Sequence, residues 1–164
     1  MEATKEALIG AMESYFGDDA RRINHAHRVM AYAEQLMAPE GGDYQVVIGS
    51  AVLHDIGIHQ AEKKYGSSSG KYQEIEGPPI AREILAGLKF GQIQIDEICE
   101  IIAHHHSPGK INTRNFKILY DADWLVNLKD EYDIQDRDKL VNIIDRVFLT
   151  ETGRSLARQT YLPG

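Results

Sequence analysis

The chain has 164 residues, of which 43% are hydrophobic and 26% are charged, and its formal net charge is -7. This size and composition predict one globular domain, and the acidic balance argues against stable binding of nucleic acid or of an anionic membrane. No apolar run is long enough to span a bilayer. The single cysteine, Cys99, and an N-terminus without a signal-peptide pattern predict a cytoplasmic protein with no internal disulfide.

Nearly every segment has the 3.6-residue hydrophobic periodicity of a helix rather than the alternation of a strand. We therefore expect an all-α fold, a single-domain helical bundle of six or seven helices over residues 1–164. Pro78 and Pro79 suit the first turn of the fourth helix. The third helix is apolar on almost every side, which predicts a central position. In chain order, the predicted helices cover residues 4–16, 18–38, 44–55, 78–89, 93–105, 113–129 and 136–150.

The segment "KKYGSSSGKYQEIEG", residues 63–77, lies outside these helices, because its glycines and serines favour a flexible chain. In one interpretation it is a surface loop. In the other it is a lid over a binding site, with Lys64 and Lys71 contacting phosphate groups of a substrate. The sequence alone leaves both interpretations open.

Seven histidines lie in this acidic chain, and they fall into groups. His54 stands beside Asp55 at the end of the third predicted helix, where burial of either is costly without a partner. Three more histidines follow in "AHHHSPG", residues 103–109. On the second predicted helix, His25 lies on the apolar stripe and His27 on a more polar one. We therefore expect His25 to point toward the core and His27 to lie on the surface.

Imidazole and carboxylate side chains together are typical ligands of Mn, Fe, Co, Ni or Zn, and a single cysteine excludes a thiolate cluster. The histidines therefore indicate a divalent transition metal as the cofactor, with one ion expected and a second compatible with the residues. The carboxylates that could join the histidines are Asp55, Glu76, Asp121 and Asp123.

Three motifs resemble those of a known family. "HAHRV" at 25–29 is similar to the H-x-x-R-V start, and "AVLHDIG" at 51–57 to the central motif, of the HD-domain metal-dependent phosphohydrolases. "DADWLVNLKD" at 121–130 looks like their closing A-D-x-L-x-N segment, particularly as in the hydrolases of guanosine tetra- and pentaphosphate. The resemblance covers a motif core of about residues 20–130, followed by the C-terminal helix at about 136–150. It implies an all-α bundle around a metal site.

The resemblance implies a first metal site made of two histidines and two aspartates. The family pattern places the last ligand directly before x-L-x-N, which selects Asp123. Periodicity cannot separate it from Asp121, because the helix around both is apolar on every side. Asp121 would then orient a ligand histidine. Asp55 is also the expected catalytic residue, and the implied ligands are His25, His54, Asp55 and Asp123.

Two further stretches resemble second-metal ligands of the superfamily. "EGPPIAREIL" at 76–85 is similar to the H-G-P-x-x-A stretch of HD-type diadenosine tetraphosphate hydrolases, with Glu76 in place of histidine. "IIAHHHSPG" is similar to the I-x-x-H-H stretch of HD-type cyclic-dinucleotide phosphodiesterases, which implies His104 and His105. The helical wheel points His105 inward and His104 outward, and His106 is expected to be structural. Glu76 is equally open to interpretation as an exposed residue before a helix.

These residues predict a phosphohydrolase that cleaves a phosphate ester of a nucleotide or another small molecule with metal-activated water. Two alternatives stay open. One is a di-iron oxygenase, since HD relatives such as myo-inositol oxygenase use the same order of ligands. The other is a non-catalytic sensor that binds a nucleotide. The expected partner is a small phosphorylated molecule, and a homodimer is compatible with the sequence.

Overall fold

The computed structural model describes residues 2–163, and within this range the chain forms nine α-helices and no strand. The all-α prediction is confirmed, although the helices exceed the predicted six or seven. None of the nine is both long and apolar enough to cross a membrane. The helices are α1 (Glu2–Phe16), α2 (Ala20–Glu40), α3 (Tyr44–Leu53), α4 (Ile58–Tyr65), α5 (Gly70–Gly87), α6 (Gln92–His104), α7 (Arg114–Glu131), α8 (Arg137–Val147) and α9 (Glu151–Tyr161).

Short polar side chains fix several helix starts. The carboxylates of Asp19, Asp43 and Asp136 each accept a hydrogen bond from a backbone N–H in the first turn. The Thr113 hydroxyl accepts one from the N–H of the third residue beyond it. These groups satisfy donors that have no partner inside the helix, which is why the predicted starts of α2 and α7 lie within two residues of the observed ones.

Two helices were missed by the sequence prediction. Residues 54–57 form a turn that ends α3, and the chain then restarts as α4, whereas the prediction continued the third helix to residue 55. The last helix, α9, begins after Thr150, whose hydroxyl accepts a hydrogen bond from Gly153 N. A glycine near a helix start weakens the helical pattern, and this explains why α9 was not predicted.

The central position predicted for the third helix is confirmed. Every residue from 46 to 53 is buried, and α3 packs against α1, α2, α6 and α7. Gly49 permits the close approach of α6, because a Cβ at this position would lie 2.6 Å from Ile98 Cδ1. Helices therefore surround α3, and they fix the position of His54 and Asp55 at its C-terminal end.

The prediction of a flexible segment over residues 63–77 is wrong except for residues 66–69, which connect two helices. α4 continues to Tyr65, and α5 already starts at Gly70. Pro78 and Pro79 consequently lie inside α5 rather than in its first turn. Each removes one backbone donor, a loss that an isolated helix tolerates poorly but that packing against α4 and α6 offsets here.

A pair of glycines holds α5 against the turn that follows α3. A Cβ on Gly57 would lie 2.5 Å from Gly77 N and 3.1 Å from the carbonyl oxygen of Gln73. The approach is possible only because residue 57 has no side chain. It brings the buried Gln73 side chain to the edge of the region around His54 and Asp55.

Candidate metal centre

Four predicted ligands converge where α2, α3 and α7 meet. The His25 Nε2 atom lies 3.3 Å from His54 Nε2 and 3.0 Å from Asp123 Oδ1. The Asp55 Oδ2 atom lies 3.3 Å from His25 Nε2 and 3.4 Å from His54 Nε2. His54 Nε2 is also 3.4 Å from Asp123 Oδ1. The structure thus brings together the four residues that the sequence assigned to the first metal, and we call them the first cluster.

The orientation of His54 is set by the backbone of its own helix. Its Nδ1–H donates a hydrogen bond of 2.8 Å to the carbonyl oxygen of Ala51. In the neutral form of His54, which is the form that binds a metal ion, the Nε2 lone pair would therefore face the carboxylates of Asp55 and Asp123. The His54 side chain is fully buried, while those of Asp55 and Asp123 are 14% and 12% exposed. The His25 side chain is also 14% exposed, so His25 and the two carboxylates form the solvent-facing side of the first cluster.

The charges of the first cluster act strongly on one another. Burial opposes protonation of His54, but the charges of Asp55 and Asp123 outweigh it and raise the pKa of His54 well above its usual value. Burial also opposes ionisation of Asp55 and Asp123, yet the positive charge of His54 holds the pKa of each carboxyl well below its usual value. Two ionised carboxylates in this place favour a cation between them.

The donor set of the first cluster fits a divalent transition metal. It consists of two imidazole nitrogens and two carboxylate oxygens, the ligand types of Mn, Fe, Co, Ni and Zn sites. The separations of 3.0–3.4 Å that join His25 and His54 to each other and to the two carboxylates are those expected for atoms that share one ion at bond lengths of about 2.0–2.2 Å. The residues present could therefore hold one ion, and the donor set is compatible with any of these metals.

A second cluster of potential ligands shares Asp55 with the first. Asp55, His105 and His106 each offer a ligand atom, and these atoms lie within 4.8 Å of one another. The His105 Nδ1–H donates to the carbonyl oxygen of Ile102 at 2.6 Å. Its Nε2 is buried, lies 3.6 Å from Asp55 Oδ1 and has no hydrogen-bond partner in the described part of the chain. A buried nitrogen in this condition is rare and fits a metal ligand.

His106 was expected to be structural, but it belongs to this second cluster. Its Nε2 lies 2.9 Å from Gln73 Oε1, and its ring centre is 4.0 Å from that of His105. Burial, followed by the neighbouring His105, lowers the pKa of His106 to about 4. A neutral imidazole at this position retains a lone pair for a ligand.

Glu76 and His104 lie elsewhere, so the predicted second set is not brought together. Glu76 accepts hydrogen bonds from the Tyr65 hydroxyl at 2.8 Å and from Lys64 Nζ at 3.3 Å. Because α5 starts at Gly70, Glu76 is inside a helix and contacts α4 instead of preceding a helix start. His104 Nδ1 donates to the carbonyl oxygen one turn earlier in α6. In residues 2–163, neither cluster of potential ligands includes Glu76 or His104.

Asp121 stabilises the fold rather than orienting a ligand histidine. Its Oδ1 accepts a hydrogen bond from Leu149 N at 2.9 Å, and its Oδ2 accepts bonds from Thr150 N and Oγ1 at 2.8 and 2.7 Å. Burial raises the pKa of Asp121 to about 6, even though these hydrogen bonds favour the ionised form. The carboxyl group joins α7 to the start of α9, and a Cβ on Gly153 would lie 2.4 Å from its Oδ2.

A cleft of about 290 Å³ opens at the first cluster. Its lining contains one nonpolar residue, Ile58, among the residues that the structure describes. Three arginines of α2 stand in its walls together with polar and acidic residues. The lining residues are Arg21, Arg22, Asn24, His25, Arg28, Asp55, Ile58, Gln73, His106, Asp123, Asn127, Asp130 and Glu131.

The predicted substrate lysines do not line this cleft. Lys64 pairs with Glu76, and its Nζ lies 5.5 Å from the ring centre of Tyr65. Lys71 Nζ lies 4.9 Å from the ring centre of Tyr72. Lys64 lies on α4 and Lys71 on α5, so both lysines occupy helix surfaces instead of a mobile lid.

The sequence prediction missed the cleft arginines, although a signal was present. Arg21 and Arg22 precede His25 by four and three positions, and Arg28 follows it by three. Residues at these spacings share one side of a helix. The hydrophobic residues on the His25 side of α2 predicted which side faces the core. The charged residues on that same side, at spacings of three and four from His25, also predict which cations lie beside the site.

The family model of the HD domain matches residues 22–148. The fold is also similar to the 1.45 Å crystal structure of a protein described as a predicted HD superfamily hydrolase from an uncultured Thermotogales bacterium. The two chains are 27% identical, the TM-score is 0.69, and the match covers 94% of this chain and 83% of the other. No curated protein matches the chain. The family model spans well over half of the sequence and includes all four residues of the first cluster, so the chain belongs to the HD-domain family.

Proposed function

We propose that this protein is a metal-dependent phosphohydrolase that releases phosphate from a small phosphorylated molecule, such as a nucleotide. One observation carries the proposal. Two histidines and two aspartates lie close enough together to hold a cation, and three of them, His25, Asp55 and Asp123, line a cleft that also contains three arginines. The likeness to a structure described as a predicted hydrolase supports the same reaction class.

Each part of the cleft has a role in this proposal. His25, His54, Asp55 and Asp123 would hold the ion, which when bound supplies hydroxide near neutral pH and polarises a phosphoryl oxygen. Asp55 directs one carboxylate oxygen toward the first cluster and the other toward His105. It is therefore the residue through which a second ion, held with His105 and His106, would be coupled to the first.

The walls of the cleft support a phosphorylated substrate. Guanidinium groups match the geometry of phosphate oxygens and remain charged at all relevant pH values. The lining contains three arginines beside four carboxylates, and two of these carboxylates, Asp55 and Asp123, belong to the proposed metal cluster. Binding of a small phosphate ester fits this arrangement better than binding of an extended nucleic acid, which needs a basic surface.

A phosphate-release screen tests the proposal. The purified protein is analysed for bound elements, reloaded with Mn, Fe, Co, Ni or Zn, and incubated with nucleotides and sugar phosphates. We expect metal-dependent release of phosphate that Asp55→Ala abolishes. The matched control is Asp145→Ala, an exposed aspartate of α8 that pairs with Arg158.

Three outcomes would contradict the proposal. Phosphate release that persists in Asp55→Ala would place the chemistry elsewhere. Oxygen consumption by an iron-loaded, coloured protein would favour the oxygenase. Tight nucleotide binding with no turnover under any metal would favour the sensor.

A further inference from the structure

We propose that Arg21 and Arg22 bind a second anionic group of the substrate, one that does not react. The inference rests on the proposed function, because it assigns a substrate class to the same cleft. The substrate would be a small phosphate ester that carries a further phosphate or carboxylate group. The charge distribution in the cleft, the position of the arginines on α2 and the character of the remaining walls support it.

The three arginines of the cleft differ in their charge partners. Arg28 Nη1 lies 3.0 Å from Asp130 Oδ2 and 3.3 Å from Asp130 Oδ1, and Asp130 itself lines the cleft. In the range 2–163, neither Arg21 nor Arg22 has a carboxylate within 4.0 Å of its guanidinium. Arg28 is therefore paired with a carboxylate of the cleft, whereas Arg21 and Arg22 form no such ion pair.

The carboxylate that precedes these arginines is already engaged. Asp19 Oδ2 lies 2.7 Å from His59 Nε2, and its Oδ1 accepts a hydrogen bond from the backbone N–H of Arg22 at 3.3 Å. Asp19 thus caps α2 and pairs with a histidine of α4. Its charge also interacts with that of Arg22, but from beyond ion-pair distance, so an incoming anion would not have to break an ion pair.

Folding stability does not explain two consecutive arginines at this place. Both stand in the first turn of α2, which contains no acidic residue. The partial positive charge at the start of a helix favours Asp or Glu there and disfavours a cation. Asp19 at the N-cap compensates part of this cost for Arg22, but neither arginine forms an ion pair within 4.0 Å in the described residues, and residues that contradict a local preference are characteristic of functional sites.

The spacing of these residues places the second anion near the reacting group. Arg21 and Arg22 precede His25 by one helical turn, or about 5 Å along the axis of α2. A guanidinium one turn from a metal ligand can contact a group attached to the reacting phosphate directly or through a small linker. The cleft contains no aromatic residue among those described, so the recognised groups are the charged and polar ones.

Calorimetric titration of the metal-loaded protein with inorganic phosphate, pyrophosphate and phosphonoacetate tests the inference without requiring turnover. We expect pyrophosphate to bind at least about tenfold tighter than phosphate, the gain that charged hydrogen bonds to one more anion supply. In R21Q/R22Q this ratio should fall to about one, while the affinity for phosphate is retained. If phosphonoacetate binds as tightly as pyrophosphate, the two arginines accept either a carboxylate or a phosphate as the second anion. If it binds more weakly, they prefer a second phosphate.

Two further measurements separate this role from a structural one. R21Q/R22Q should melt at the same or a higher temperature than the native chain, because it removes positive charge from a helix start. R82Q is the matched control, since Arg82 pairs with Asp96 and does not line the cleft. It should leave the ratio of affinities unchanged.

An unchanged ratio in R21Q/R22Q would overturn the inference, as would an equal fall of both affinities together with the melting temperature. Failure of the proposed function is visible separately, because it would leave the protein without phosphate release whatever these binding ratios are.

Discussion

The two ligand clusters share Asp55 but differ in construction. The first cluster joins side chains from α2, from the end of α3 and from the middle of α7, all anchored in the core of the bundle. The second draws His105 and His106 from the turn that ends α6, with Gln73 of α5 beside them. Donors of the first cluster contact one another at 3.0–3.4 Å, whereas His105 Nε2 stands 3.6 Å from Asp55 and has no hydrogen-bond partner in the described residues.

This difference indicates that the first cluster is preorganised by packing and the second depends on how two helix ends meet. Ligands held on well-packed helices keep their geometry without the ion. His54 and Asp55 also lie on a turn, but that turn follows the fully buried end of α3, whereas the turn with His105 and His106 follows any shift of α5 against α6. The predictions below therefore separate loss of a ligand, loss of packing and loss of a contact outside both clusters.

The largest expected effect separates Asp123 from Asp121 on the same helix. Asp123→Ala should lower metal affinity by more than about 100-fold, because mutation of a residue that only hydrogen-bonds to a ligand already lowers it by about 10–100-fold. Asp121→Ala should retain the metal but lower the free energy of unfolding by about 3 kcal/mol, because the partly buried N–H of Leu149 and the buried N–H of Thr150 lose their acceptor. Metal titration and urea unfolding of both variants check this. If Asp121→Ala lost the metal but kept its full stability, Asp121 rather than Asp123 would be the metal ligand.

A smaller effect is expected where α5 packs against the turn that contains Gly57. Gly57→Ala places a Cβ against the backbone of Gly77 and should destabilise the fold by about 1–3 kcal/mol. It should also weaken the second cluster more than the first, because α5 carries Gln73. Gly10→Ala in α1, where a Cβ would meet nothing within 4 Å, is the matched control and should stabilise by about 0.5–1 kcal/mol. Equal stability of the two variants in chemical unfolding would show that α5 is not held as described.

The smallest effect is expected at Glu76. Glu76→Gln removes a contact with Lys64 and Tyr65 and should change stability by less than about 1 kcal/mol, with no change in metal stoichiometry. His104→Ala should be equally silent, whereas His105→Ala should weaken binding of a second ion. Titration with excess Mn compares the three variants. A second ion lost from Glu76→Gln but kept by His105→Ala would restore the assignment made from sequence.

The first cluster was accessible from the sequence because His25 and Asp123 lie on long helices, and because His54 and Asp55 directly follow a buried one. The apolar stripe of α2 pointed His25 inward, and His54 follows an all-apolar helix whose central position could be predicted. Periodicity could not choose between Asp121 and Asp123, since both are buried on α7. The choice rested on the family resemblance, and the structure places Asp123 beside His25.

The position of α5 beside the site could not be predicted, because it depends on a contact between residues that are distant in sequence. Glycine and serine before Gly70 suggested a flexible loop, and Pro78 suggested a helix start. The close approach of Gly57 to Gly77, which holds α5 in place, has no local sequence signal. As a result, Lys64 and Glu76 were assigned to the site, although they pair with each other beside it.

The central claim is that one divalent metal ion is held by the first cluster. Titration of Mn²⁺ followed by electron paramagnetic resonance, on the native chain and on two histidine variants of α2, tests it most directly. His27 lies two residues from His25 but is bonded to Glu13 away from the cleft. We predict that the native chain and His27→Ala bind at least one ion tightly and that His25→Ala loses this binding. Binding in His25→Ala equal to that of the native chain, or no tight binding in the native chain, would contradict the claim.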